Sequence, residues 1–194
     1  AGAKFQSNGG AASVILERCT FRNNDAGNLG GGIYSQAELN ISECTFDNNI
    51  ADKGGPGIAI NGKPLNLLSS VFTGNSTDNI NGVGGAINFT NSSNGSIESS
   101  YFDDNWGFKV STVYFLSSNN NTIVNSIFKN NSCNRMASIY TLSSSNTKII
   151  NCSFSGNENQ HANPNQASCI GMHLANSGSV YVYNCAFWDN QSSQ

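Results

Sequence analysis

The stretch Ile97-Glu98-Ser99-Ser100-Tyr101-Phe102-Asp103-Asp104-Asn105 decides the fold, because its frame returns along the whole chain. A phenylalanine is followed three residues later by an asparagine at Phe21/Asn24, Phe46/Asn49, Phe72/Asn75, Phe102/Asn105, Phe128/Asn131, Phe154/Asn157 and Phe187/Asn190. Successive copies are 25, 26, 30, 26, 26 and 33 residues apart. A period between 20 and 50 residues marks a solenoid, in which a unit cannot bury its own apolar face and stacks on its neighbours.

Working outward from the phenylalanine, the position two before it holds Cys19, Cys44, Ser70, Ser100, Ser126, Cys152 or Cys185. Five before it stands Leu16, Ile41, Leu67, Ile97, Ile123, Ile149 or Val182. Small and aromatic residues two apart have the period of a strand with one buried face. The polar residue between them and the aliphatic column (Arg18, Glu43, Ser69, Ser99, Asn125, Asn151, Asn184) breaks that alternation, so a bend is expected there. A second strand per unit follows a small-residue step, as in Gly31-Gly32-Ile33-Tyr34 and Gly84-Gly85-Ala86-Ile87. No segment keeps a period of 3.6 over ten or more positions, which excludes a helical architecture. The expectation is an all-β chain forming a single right-handed parallel β-helix of about seven rungs over residues 1–194. A leucine-rich repeat is the alternative, although phenylalanine and Gly-Gly stand here where that repeat places leucine.

The recurring asparagine has a physical reason. It tolerates the left-handed backbone of a tight turn, and its amide can pair with the asparagine one coil away to form a ladder along the axis. Asparagine is common, at 32 of 194 residues, but all seven phenylalanines carry it at one offset. Charged residues make up 11% and the formal net charge is −3, which argues against a nucleic-acid or anionic-membrane partner. No run approaches 18 apolar residues, so no helical membrane span is predicted. Both ends fall inside the repeat without a polar cap, which leads us to expect a fragment or subunit of a larger surface assembly.

Six cysteines in a chain this poor in charge suggest an oxidising compartment. Cys19 and Cys44 share one column on adjacent rungs, as do Cys152 and Cys185, and neighbouring strands lie about 4.8 Å apart. Cys133 and Cys169 fall on turn-side stretches of consecutive coils. Three inter-rung disulfides are expected on this basis; a ladder of free, buried thiols is the alternative. Asn-x-Ser/Thr occurs at Asn40, Asn75, Asn88, Asn91, Asn94, Asn120, Asn130, Asn151 and Asn190. Asn91, Asn94 and Asn120 lie in Ser/Asn-rich turns and are the expected glycan acceptors.

Repeated Phe-x-x-Asn with Gly84-Gly85-Ala86-Ile87 and Gly30-Gly31-Gly32-Ile33 resembles the repeat of chlamydial polymorphic outer-membrane proteins and other right-handed β-helix repeat proteins. The phenylalanine motif covers all seven rungs and the glycine motif the first three. The resemblance implies an exported, surface-exposed passenger that adheres or builds surface structures.

Within the chain, the position after the second-strand aliphatic residue carries Tyr34, Ala59, Asn88, Tyr114, Tyr140 and His173, so Tyr114, Tyr140 and His173 are expected to form an outward stripe for stacking on a sugar or another protein. The function expected is therefore a non-catalytic extracellular structural or adhesive module needing no cofactor and no metal, with other copies of itself, or a host or glycan ligand, as partner. The alternative is a polysaccharide lyase or glycoside hydrolase using Asp103 and Asp104, with Asp47 and Lys129 nearby. The two histidines, His161 and His173, are far from that acid pair in rung order and form no nucleophile–base arrangement.

Overall fold

The computed structural model describes residues 1–6, 12–77, 79–160, 168–173 and 178–192, with backbone alone at 171–173. Each turn of the chain places one short strand in each of four sheets, labelled A to D in chain order. The second turn shows the pattern, with Ile33–Ser35 in A, Glu38–Ser42 in B, Thr45–Asp47 in C and Ile50–Ala51 in D. All four sheets are seven-stranded, and consecutive turns pair in parallel. The chain is thus a parallel β-solenoid of seven strand layers, or six complete turns from the first layer to the last.

Left-handed residues make the corners. Between sheets B and C they are Arg18, Glu43, Ser69, Ser99, Asn125, Asn151 and Asn184, at φ between 47° and 53°. This is the bend that the broken alternation predicts. Between C and D they are Asn23, Asn48, Gly74, Asp104, Asn130, Gly156 and Asp189, at φ between 50° and 62°. A left-handed residue costs about 1–2 kcal/mol unless it is Gly, Asn or Asp, and every layer uses one of these three at the second corner. The left-handed position is therefore the residue before the ladder asparagine and not the ladder asparagine itself, which corrects half of the rationale for that residue. The Gly-Gly motif has a local cause at the entry to sheet A. Gly30 and Gly84 have φ of 72° and 83°, and a Cβ there would lie 2.4 Å from the Ile33 carbonyl oxygen and 2.5 Å from that of Val110.

Inside the coil, six stacked pairs link the seven phenylalanine rings, with centroids 4.5–5.0 Å apart and planes within 14°. Phe46 to Phe154 are fully buried, while Phe187 in the last layer is 48% exposed. The asparagine ladder runs beside them. From Asn49 onward each ladder side chain accepts from the layer before through Oδ1 and donates through Nδ2, as in Asn75 Nδ2 to Asn105 Oδ1 (2.9 Å) and Asn105 Nδ2 to Asn131 Oδ1 (2.9 Å). The same oxygens cap backbone N–H groups, such as Asn75 N–H at 3.1 Å.

The six cysteines are free thiols, and the expected disulfides are absent. In-register parallel strands aim equivalent Cβ atoms the same way at the layer spacing of about 4.8 Å, whereas a disulfide needs them about 3.8 Å apart. The thiols instead do what serine does in the same column. Cys19 N–H donates to Cys44 Sγ (3.3 Å) and Cys152 N–H to Cys185 Sγ (3.4 Å), just as Ser70 N–H donates to Ser100 Oγ (3.2 Å). Each side chain in turn donates to the carbonyl two residues back, Cys44 to Ser42 (3.2 Å) and Ser100 to Glu98 (2.9 Å). Cys133 and Cys169 do not share a column. Cys133 is level with Gly107 and Asn159 in sheet D, while Cys169 borders sheet A, its carbonyl accepting from Ile139 N–H.

One span of every turn has fixed length. From the aliphatic residue of sheet B to the ladder asparagine there are always eight steps, from Leu16–Asn24 through Val182–Asn190. All variation in the repeat falls between that asparagine and the next sheet B strand.

Candidate binding surface

The expected aromatic stripe is not a surface. Tyr114 and Tyr140 do point away from the main core, since Val113 and Ile139 beside them point in. Yet they are only 4% and 8% exposed. They form a satellite core with Val110 and Ala137, packed under Val83, Leu116, Met136 and Leu142. Their ring centroids are 6.3 Å apart. Burial pushes the Tyr114 hydroxyl up to about 12, with a smaller contribution from Tyr140, so both phenols stay neutral. His173 also departs from the expected column. The register places Gly171 beside Tyr140 and His173 beside Leu142, and the His173 side chain lies outside the described residues, as does His161. His173 thus stands two residues beyond the Tyr114/Tyr140 column.

Asp103 and Asp47 are each occupied, and they stand two layers apart. Asp103 accepts the Tyr101 hydroxyl at 2.9 Å and Asn130 Nδ2 at 3.0 Å, and it stands in register between Thr73 and Lys129. Burial raises the Tyr101 phenol, and the bond to Asp103 raises it further, which keeps that hydroxyl a donor. Asp104 is the left-handed corner residue at φ 54°. Asp47, two layers away in the Asp103 column, pairs with Arg22 at 2.7 Å and accepts Thr73 Oγ1 at 3.2 Å. No second acid therefore lies in the layer above or below Asp103 on its column. Among the described residues, no three His, Cys, Asp or Glu side chains group to hold a metal ion.

Asn91, Asn94 and Asn120 stand exposed at the turn between sheets A and B, at φ 51°, 62° and 57°. Asn120 Nδ2 donates to Asn94 Oδ1 (3.2 Å) and Asn120 Oδ1 accepts from Asn146 Nδ2 (2.9 Å), so these amides are tied in a row across adjacent layers. Asn75, although in a sequon, is fully buried in the ladder.

Among the described residues, exposed apolar side chains gather on sheet B and its corner with sheet C, with Ile80 and the last-layer Phe187 and Trp188 exposed elsewhere. The outward positions of sheet B form two columns across the layers. The first reads Ile15, Asn40, Asn66, Ser96, Thr122, Lys148 and Tyr181; the second reads Glu17, Ser42, Leu68, Glu98, Val124, Ile150 and Tyr183. Ile15 is 71% exposed, Leu68 44% and Tyr183 52%. Ile127, just past the corner in sheet C, is 44% exposed. The rings of Tyr181 and Tyr183 lie parallel, within 7°, with centroids 6.3 Å apart. Layers one to four of the same face enclose a groove of about 330 Å³, floored by Asn40, Ser42 and Asn66 and rimmed by Ile15, Leu68 and Glu98. Its floor is itself tied together, Asn66 Nδ2 to Asn40 Oδ1 (2.9 Å) and Asn40 Nδ2 to Ser13 Oγ (2.8 Å). Sequence reasoning missed this face because its residues change identity from layer to layer; the constant signal was their place, one before and one after the buried aliphatic residue.

Comparison with known proteins agrees with the architecture. A family model described as "Right handed beta helix region" matches residues 5–187. No curated protein and no solved structure matches.

Proposed function

We propose, from the premise that this chain belongs to the right-handed β-helix family, that it is a non-catalytic extracellular module that holds or adheres, presenting the outer face of sheet B and its corner with sheet C. The observation that carries this reading is an apolar and aromatic seam in which half-buried Val124 and Ile150 join exposed Ile127 and Tyr183 over layers five to seven, with exposed Leu68 in layer three beyond Glu98. Contiguous apolar surface of this kind is what a soluble protein keeps for a partner. Flat aliphatic and aromatic groups beside an amide-rich groove suit a glycan, whose faces are apolar and whose edges form hydrogen bonds. Exposed sequons in the A–B turn, low charge and the resemblance to outer-membrane passenger repeats support an extracellular setting. The free thiols do not, since they take away the covalent argument for an oxidising compartment.

The test is retention on immobilised polysaccharides and on cell surfaces, compared between the natural chain and Val124→Ser/Ile127→Ser. The double variant is expected to lose most of its retention while its melting temperature stays close, because both side chains are outside the core. Equal retention overturns the reading. Reducing-end release from pectin-like or alginate-like substrates, abolished by Asp103→Asn/Asp104→Asn, would establish a carbohydrate-active enzyme in its place.

A further inference from the structure

We propose that the outer face of sheet B is the interface of a two-fold dimer, in which a second copy of this chain lies antiparallel and seats Tyr181 and Tyr183 in the groove of layers one to four. The proposal rests on the reading of this face as a contact surface, and it commits the face to self-association.

Three observations point to a second copy. The face has a projection and a recess of matching kind at opposite ends. Tyr181 and Tyr183 stand out in layer seven as a parallel pair of exposed rings, and the recess floored by Asn40, Ser42 and Asn66 lies in layers two and three. Next, a two-fold axis lying in the face across the coil, between layers four and five, brings layer seven over layer two, six over three and five over four. Residues of one column then meet their own column, because this rotation keeps lateral position. Tyr181 falls over Asn40, Tyr183 over Ser42 and Ile150 over Leu68. The rings enter the groove, and half-buried Ile150 covers exposed Leu68, while Val124 lies over Glu98 beside the axis.

The third observation is charge. The acids of sheet B lie in layers one to four (Glu17, Glu38, Glu98), and its base, Lys148, is in layer six. In the same arrangement Lys148 faces Asn66 of the second copy, with Glu38 and Glu98 on the two diagonals. Unlike ends attract when the copies run antiparallel; a parallel pairing would set the acidic layers one to four of the two copies against each other and leave Lys148 facing its own layer.

The experiment is sedimentation equilibrium of the full chain from micromolar to millimolar concentration. The natural sequence is expected to dimerise, and Lys148→Glu to raise the dissociation constant on the order of tenfold or more, since it replaces attraction by repulsion twice in each dimer. Combining Lys148→Glu with Glu98→Lys is expected to recover most of that loss. Tyr181→Ser/Tyr183→Ser is expected to be monomeric with its melting temperature nearly unchanged. A natural chain that stays monomeric to millimolar concentration, or a dimer indifferent to Lys148→Glu, or a double reversal that recovers nothing, overturns the proposal. The adhesive reading fails separately. A monomeric chain whose polysaccharide retention still needs Val124 and Ile127 keeps that reading and removes this one.

Discussion

Replacing Asn105 by alanine isolates what the internal amide ladder contributes. Asn105 is fully buried in the fourth layer. Its Oδ1 accepts from Asn75 N–H (3.1 Å) and Asn75 Nδ2 (2.9 Å), and its Nδ2 donates to the Phe72 carbonyl (3.0 Å), to Asn131 Oδ1 (2.9 Å) and to the Asp103 carbonyl (3.2 Å). Alanine takes away all five. Asn75 N–H loses the acceptor that holds it in a dry interior, at about 1–3 kcal/mol. Of the groups left by the other bonds, Asn75 Nδ2 still donates to the Phe46 carbonyl, Asn131 Oδ1 still accepts Asn105 N–H and the Asp103 carbonyl still accepts Gly74 N–H, so each loss is worth about 0.5–1.5 kcal/mol. A loss of at least about 3 kcal/mol is expected, the lower end of those terms taken together. The comparison is Asn120→Gly, which removes two exposed amide bonds, to Asn94 and from Asn146, but suits the left-handed backbone at φ 57° and should stay within about 0.5 kcal/mol. Urea unfolding followed by far-ultraviolet circular dichroism measures both. A loss below about 1 kcal/mol for Asn105→Ala, or equal losses at the two sites, would refute the claim that burial is what gives the ladder its weight.

Truncating the satellite core should also be costly: Tyr114→Ser and Tyr140→Ser are each expected to destabilise by about 3 kcal/mol or more, read as a fall in urea midpoint, whereas a true surface stripe would show almost none. Alkali should weaken the fold through its thiols. Burial pushes Cys133 and Cys152 from 9.0 up to about 11, so the folded state holds protons that the unfolded chain has released. Their contribution is intact below about pH 9 and lost as pH rises through about 11, and melting temperature should fall over that window. Reductant at neutral pH should leave it unchanged, and native thiol titration should find Cys133 and Cys152 unreactive until urea is added.

The solenoid and its two internal ladders were legible because identity repeats seven times at fixed offsets. Phe, Cys or Ser, and Asn each hold a position where stacking demands like on like. What alternation could not reveal was cover. Tyr114 points away from the main core as its place in the strand requires, yet Val83 and Met136 come over it from segments outside the repeat. Spacing put Cys19 and Cys44 a layer apart but said nothing of the direction of their Cβ bonds or of the carbonyls their thiols engage. The candidate face escaped for the opposite reason to the core. Stacked interiors enforce sameness, whereas Asn40, Asn66, Ser96, Thr122 and Lys148 share a column that solvent leaves free to vary.

The constant eight-residue span between sheet B and the ladder asparagine works as a gauge, and the remainder of each turn as slack. A residue added within the gauge would put ring, small residue and amide out of phase with six other copies, turning buried faces outward from that point. A residue added in the slack meets no such lock, and the steps of 30 and 33 residues show that extra length already accumulates there. Change along this chain is thus channelled to one flank of the coil. New loops can be hung on that flank without altering the pitch, the ring stack or the opposite face.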